Sequence, residues 1–213
     1  MLQIRWYGHS LWRIKSGSII IVTDPYSDIG YNLDIPLSAD IVLSSHDHFD
    51  HNNISLAGNE AVVIKDAGEY QCYGVKFEMF PVWHDKEKGA KRGANLLMKF
   101  TMDGKSFLHC GDLGHIPEAE TIQKIGKINV LMVPVGGVYT IDAEEARELV
   151  EIIKPRVILP MHYKTPVLNF QLDPVDKFLS FYNNVIKFEQ SEIELISEYF
   201  DTEQPVIMVM NYE

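Results

Sequence analysis

Ser45-His46-Asp47-His48-Phe49-Asp50-His51 places three histidines and an aspartate in H-x-H-x-D-H spacing, directly after the apolar run Ile41-Val42-Leu43. A strand end that feeds a loop often displays chemistry, because the scaffold fixes the loop. In extended or turn geometry, residues two apart can point the same way. His46 and His48 can therefore share one metal ion, while Asp50 and His51 turn to a second. Imidazole suits zinc, and carboxylate completes a site able to hold a hydrolytic metal. A solvated histidine-rich turn is the alternative, but four donors in six residues after a buried strand favour the metal.

Three further donors fit the same site. His84 follows the run Val75 to Val82, Asp112 follows Ser106 to His109 within Cys110-Gly111-Asp112, and His162 follows Val157 to Leu159. Taken singly, His84 and His162 read equally well as loop residues and Asp112 as a turn former. Taken together, each stands just past the C-terminal end of an apolar strand, so one sheet edge can gather them all.

The elements that must do the gathering are short. Apolar runs bounded by turn residues predict strands at Ile19–Val22, Ile41–Leu43, Ala61–Ile64, Val75–Val82, Val130–Val135, Val157–Leu159 and Val206–Met210. Leu96–Phe100 and Ser106–His109 flank Asp103-Gly104, a hairpin signal. Helices are expected at Pro117–Lys127 and at Asp142–Lys154. The second has a capping box from Asp142 and Glu145, an apolar stripe of Ala143, Ala146, Leu149, Val150 and Ile153, and a stop at Pro155. A third helix is expected from Asp173-Pro174, with Val175, Phe178, Leu179 and Tyr182 on one face, and a short one after His51. Strands first and strand–helix alternation later, with no linker-like stretch, predict one α/β domain over residues 1–213 with layered sheets and outer helices.

Composition narrows the function. With 19 Lys and Arg against 30 Asp and Glu, the chain of 213 residues has a formal net charge of −11, unfavourable for a long nucleic acid. Two cysteines, Cys72 and Cys110, are too few for a disulfide framework. No signal peptide and no membrane-spanning apolar run is visible, so the expected location is the cytoplasm.

The order H-x-H-x-D-H, then His, then Gly-Asp, then His resembles the metallo-β-lactamase-fold hydrolases over nearly the whole chain. Trp6-Tyr7-Gly8-His9-Ser10, Thr23-Asp24-Pro25, His109-Cys110-Gly111-Asp112 and Met161-His162-Tyr163 resemble a branch related to ascorbate-6-phosphate lactonase. The resemblance implies a four-layer αββα sandwich with the site at one edge of the paired sheets. It implies that His46, His48 and His84 hold one divalent ion, that Asp50, His51 and His162 hold another, and that Asp112 bridges them. The ions would be Zn²⁺, with Mn²⁺ or Fe²⁺ as alternatives. The implied chemistry is hydrolysis of a small-molecule ester, lactone or phosphoester by a hydroxide shared between the metals, with Asp50 also accepting a hydrogen bond from that nucleophile.

Outside this set, His115 lies three residues beyond Asp112 and is assigned with Asp50 to the catalytic step, facing substrate. His9 is a candidate for orienting a ligand, His109 for the core, and Asp24 for either a ligand-orienting role or a turn. Cys110 reads as a packed strand residue. The charged loop Asp85 to Arg92 offers Lys91 or Arg92 to an anionic substrate group, with Tyr139, Thr140 and Lys164 as rim candidates. Three other readings compete. A di-iron redox enzyme on this fold would carry Glu where this chain has His48, and would usually have a flavin-binding partner domain. A nucleic-acid-processing hydrolase would need added binding segments. A metal-binding regulatory protein would keep the site without turnover.

Overall fold

The computed structural model describes residues 1–33 and 37–212. The chain begins with an antiparallel meander, β1 (Leu2–Trp6), β2 (Trp12–Ser16) and β3 (Ile19–Thr23), and continues to β4 (Ile41–Leu43) and β5 (Val62–Ile64). Next come β6 (Gly68–Cys72), β7 (Val75–Trp83), β8 (Ala94–Met102) and β9 (Lys105–His109), again antiparallel neighbours. From there strands and helices alternate: α1 (Ala119–Ile125), β10 (Val130–Pro134), α2 (Ala143–Ile153), β11 (Val157–Met161) and α3 (Asp176–Leu179). The chain closes with β12 (Val185–Lys187), β13 (Glu192–Glu194) and β14 (Val206–Val209).

Two mixed sheets result, in the orders β13-β1-β2-β3-β4-β5 and β12-β14-β11-β10-β9-β8-β7-β6. A buried cluster runs through both. Ile4, Trp6, Trp12, Ile14, Ile21, Ile41 and Leu43 of the first sheet meet Phe77, Met98, Phe100, Phe107, Met132 and Leu159 of the second. β1 alternates buried and half-buried residues, whereas β4, β10 and β11 are buried at every position. Unbroken apolar runs of this kind are what a parallel strand covered on both faces requires. α2 lays Ala143, Ala146, Leu149, Val150 and Ile153 into the same core, and its Asp142–Glu145 capping box is formed in both directions. Such a cap contributes about 1 kcal/mol to the helix.

This is the α/β sandwich, with a thin cover on one side. The opposite face of β3, carrying Val22, packs on Leu11, Tyr26, Ile29, Tyr31, Leu168 and Leu172, which come from loops. Among the described residues the only helical element between β4 and β5 is a 3-10 turn at Ile54–Ala57. α3 is a single turn, shorter than its Pro174 start implies. The Asp173 backbone is used elsewhere: its N–H donates to Gly136 O at 2.8 Å and its carbonyl accepts from Lys164 N–H at 3.0 Å. The Asp103-Gly104 hairpin turn forms as expected, with both residues at positive φ. β14 lies inside its sheet between β12 and β11.

Topology explains the gathering of donors. β9, β10 and β11 are parallel, and β7 runs the same way because it is antiparallel to β8, itself antiparallel to β9. The C-terminal ends of β7, β9 and β11 therefore share one edge, from which His84, Asp112 and His162 emerge. β3 and β4 are parallel in the other sheet and deliver Asp24 and His46 side by side. No helix among the described residues is long and apolar enough to cross a membrane.

Candidate metal centre

The loop after β4 is closed across its base. Ser44 Oγ lies 3.1 Å from His51 O and 3.2 Å from His46 O, and His51 N–H donates to His48 O at 2.9 Å. Beneath it sits Asp24, fully buried at the end of β3 with φ of 43°. Its Oδ1 accepts from Ser45 N–H at 2.7 Å, and its Oδ2 accepts from Ser45 Oγ–H at 2.7 Å and from His51 Nδ1 at 2.9 Å. Ser45 has spent its one hydroxyl proton on Asp24, so its Oγ accepts from His46 Nδ1–H at 2.9 Å. One carboxylate thereby fixes which ring nitrogen of each histidine is engaged below, leaving Nε2 of His46, and of His51 once deprotonated, to face inward as a donor. Sequence left Asp24 balanced between this role and a turn; burial and three hydrogen bonds decide it.

Two donor groups meet above this base. His46, His48 and His84 bring ring nitrogens within 4.8 Å of one another, and so do His9, Asp50, His51 and His162 with their own donors. Asp112 touches both: its Oδ2 lies 3.1 Å from His84 Nε2 and 3.3 Å from His162 Nε2, and its Oδ1 lies 3.2 Å from His51 Nε2. All seven expected ligand positions thus come together, four from the loop after β4 of one sheet and three from the strand ends of the other, so the site lies between two sheets rather than at the edge of one.

His9 joins them more closely than its position in the sequence suggests. It is fully buried at φ of 51°, its Nε2 lies 3.3 Å from Asp50 Oδ2, and its ring centre is 4.2 Å from that of His162. His162 shares the left-handed backbone region at φ of 51°. Three non-glycine residues at positive φ around one site mark backbone strain held in place by the surrounding packing.

Two glycines make the approach of these loops feasible. A Cβ on Gly111, at φ of 52°, would stand 2.3 Å from Asn95 Oδ1 and 2.5 Å from Ser45 Cβ. One on Gly136 would stand 2.2 Å from His162 O. Asn95, which sequence reading passed over, fixes the Asp112 turn: its Nδ2 donates to Cys110 O at 2.9 Å and its Oδ1 accepts from Asp112 N–H at 3.0 Å. Its only sequence signal is a polar residue directly before the apolar run Leu96–Met98.

Other candidates lie elsewhere. The structure does not bring His115 to the cluster: its Nδ1 donates to Ile116 O at 2.9 Å and its Nε2 accepts from Trp83 N–H at 3.2 Å. Both ring nitrogens hold backbone, and the cavity wall does not include it. His109 is a satisfied core residue, donating to Ser10 O at 2.9 Å and accepting from Gly111 N–H at 3.1 Å. Cys110 is buried, and burial pushes its thiol well above its usual range. Lys164 Nζ is committed to the carbonyls of Leu168 and Phe170. Thr140 Oγ1 donates to Ile141 O at 3.0 Å and lines a neighbouring cleft.

The donor set suits divalent cations. His51 Nε2 and Asp112 Oδ1 are buried 3.2 Å apart without a well-formed hydrogen bond between them, an arrangement that a cation between the two groups would complete. Burial and the neighbouring His51 press His46 down to about 3, and burial and His162 press His9 down to about 4, so both rings are neutral at pH 7. Burial alone would lower His51 too, but the carboxylates of Asp112 and Asp24 raise it well above its usual value. Burial opposes ionisation of Asp112, yet His162 and His51 hold its carboxyl well below the usual range.

A linkage follows from these directions. In metal-free protein His51 carries a proton at neutral pH that an incoming cation must displace. Loading at pH 7 is expected to release about one proton per chain from this group, and affinity falls as pH is lowered. Titration calorimetry in two buffers of different ionisation enthalpy checks this; no buffer dependence would contradict it. Metal-free stability carries the opposite sign for this residue. Its folded value is raised, so its contribution is full below pH ~6.5 and fades as pH rises through the folded value.

A cavity of ≈370 Å³ opens above the cluster. Its floor is His48, Asp50, His84, Asp112 and His162, and its walls are Phe49, Tyr139, Phe170 and Arg92. A larger hollow of ≈790 Å³, near Lys154, Arg156 and Tyr182, includes none of the clustered donors. Size alone does not mark the functional cavity here; convergent polar groups do.

Residues 3–162 match the beta-lactamase superfamily domain. A metal-dependent hydrolase from Pyrobaculum islandicum is 29% identical over 206 residues, which span 82% of this chain and 89% of that protein. One from Nitratidesulfovibrio vulgaris is 28% identical over 199 residues, 78% of this chain and 82% of its own length. Among solved structures, a zinc-dependent hydrolase of the metallo-β-lactamase superfamily from Thermotoga maritima superposes with a TM-score of 0.81 at 34% identity, over 99% of this chain and 98% of that one.

Proposed function

The chain belongs to the beta-lactamase superfamily and is a metal-dependent hydrolase of that fold; from this premise we propose that it cleaves a small-molecule ester, lactone or phosphoester at a pair of divalent cations, most simply Zn²⁺. The observation that carries the reading is Asp112, whose two oxygens face both histidine groups beneath a cavity of ≈370 Å³. His46, His48 and His84 would hold one cation, Asp50, His51 and His162 the other, and Asp112 both. Cations bound there supply Lewis acidity and lower the pKa of water towards neutrality.

The chain's own residues do the rest. Asp24 orients His51 directly and His46 through Ser45, so neither ring must reorient to bind. His9 donates from Nε2 to Asp50 Oδ2 and keeps that carboxylate ionised, where its other lone pairs can accept from a nucleophilic water. Phe49, Tyr139 and Phe170 form apolar walls that restrict water and fit a compact substrate. Free thiols at Cys72 and Cys110 support a reducing, cytoplasmic setting.

A substrate panel on metal-quantified protein tests this. Two zinc equivalents with turnover of a lactone, ester or phosphoester is the expected result. Two irons with visible absorbance and no hydrolysis would favour redox chemistry instead. Full metal loading without turnover of any member would favour a regulatory metal-binding protein.

A further inference from the structure

The sequence offers several cations near the site, and the structure disposes of all but one. Lys91 pairs with Glu87, Lys86 with Glu145 at 2.5 Å, and Lys164 with loop carbonyls. Arg92 alone among the described residues brings a positive charge to the cavity wall. No carboxylate among the described residues lies within ion-pairing distance of its guanidinium. It stands over the Tyr139 ring, with Cζ 5.2 Å from the ring centre, and keeps one long contact of 3.4 Å from Nη2 to Val138 O. A half-buried guanidinium with five donors and a single protein acceptor has most of its hydrogen-bonding capacity open.

The loop that carries Arg92 is built to hold it there. Asp85, buried at the start of the loop, accepts backbone N–H groups from Glu87 at 2.8 Å, Gly89 at 2.9 Å, Lys91 at 3.0 Å and Arg92 at 2.8 Å. Burial works against its charge, but these four donors hold its carboxyl down at about 2. His84 N–H donates to Gly93 O at 3.0 Å, so the metal-facing His84 and Arg92 stand at the two ends of one closed loop. This rigidity suits a recognition residue, because little is lost in ordering it on binding.

We propose that Arg92 selects the substrate, which carries a second anionic group, carboxylate or phosphate, on an aromatic or apolar body that fits against Phe49, Tyr139 and Phe170. The inference rests on the hydrolytic reading above. It deepens that reading by stating what the reacting ester or lactone must also contain. Arg92 positions this anion by charge-assisted, potentially bidentate hydrogen bonds while the scissile bond lies over the His/Asp floor.

The test compares 4-acetoxybenzoate with 4-acetoxybenzamide, which share a scissile bond and a ring and differ in charge; 4-acetoxyphenyl phosphate separates phosphate from carboxylate. The readout is the ratio of kcat/KM for anionic over neutral ester, in metal-loaded wild type, Arg92→Gln and Arg92→Lys. A preference for one or both anions is expected, falling about 10–100-fold in Arg92→Gln, mainly through KM, and falling less in Arg92→Lys. A ratio in Arg92→Gln within twofold of wild type overturns the proposal. If wild type turns over none of the three, the hydrolytic reading fails for esters. The Arg92 inference is then judged by calorimetric binding of 4-hydroxybenzoate against 4-hydroxybenzamide, with the same twofold criterion. The Asp85 contacts use backbone groups, so an unchanged melting temperature is expected in both variants.

Discussion

Asp112→Ala is expected to abolish tight binding of the metal pair and, with it, hydrolysis. The side chain is buried and stands 3.1–3.3 Å from Nε2 of His51, His84 and His162, which belong to both donor groups. Loss of a residue that merely orients a ligand commonly costs 10–100-fold in metal affinity or activity. With two cations bound as proposed, loss of the carboxylate between them should cost more than about 100-fold, since each ion would lose a donor and the charge of the cluster would become more positive. Asp112→Asn keeps the shape and should show nearly the same loss, because a neutral amide cannot replace a shared anion. Elemental analysis after dialysis against a weak chelator, with activity on the same sample, is the measurement. Retention of two full equivalents together with turnover would refute the bridging assignment.

Asp24→Ala should be the most damaging change at a residue that is not itself expected to touch a cation. Its carboxylate accepts from Ser45 N–H, Ser45 Oγ–H and His51 Nδ1, all buried. Removing one partner of a buried charged pair typically costs about 3–5 kcal/mol. Metal affinity should fall a further ~10–100-fold because His46 and His51 lose their fixed tautomers. Burial alone would raise the carboxyl, but His51 keeps its pKa below the usual range. The metal-free protein therefore draws stability from Asp24 above pH ~4 and loses it as pH falls through the depressed folded value. Thermal melting with and without metal, beside a chelator competition, separates the two effects. Wild-type melting and wild-type metal affinity in Asp24→Ala would remove Asp24 from the account.

The candidate donors stood out in the sequence because few side chains ligate divalent metals well, and here His and Asp recur just past the ends of apolar runs. β10 and β11 are visible in the apolar runs Val130–Val135 and Val157–Leu159, and α2 as a capping box with a stripe, because burial on both faces or on one face leaves those periodicities. β6, β12 and β13 left little trace. β6 is mostly exposed, and the other two are three residues long, too short for alternation to register. α3 was overextended because a Pro start signal says nothing of the Gly136 and Lys164 contacts that claim the Asp173 backbone. The distance of His115 along the chain from Asp112 does not reveal that both its ring nitrogens hold backbone.

Residue type and order by themselves supplied the candidate donors, the α/β class and the net acidity of the chain, since each depends on composition or on periodicity along the chain. Only the tertiary structure decided which donors share a point, because that depends on strand direction: β7, β9 and β11 run alike and open at one edge. It also decided the parts played by residues whose sequence signal was neutral. Asp24 lies under the site because β3 and β4 are parallel neighbours, and His9 reaches Asp50 across 41 positions. Arg92 differs from Lys91 because Lys91 is matched by Glu87 while Arg92 faces the cavity. Ligand chemistry is local and can be read residue by residue; convergence, burial and pairing are properties of the folded chain and arise only when distant segments meet.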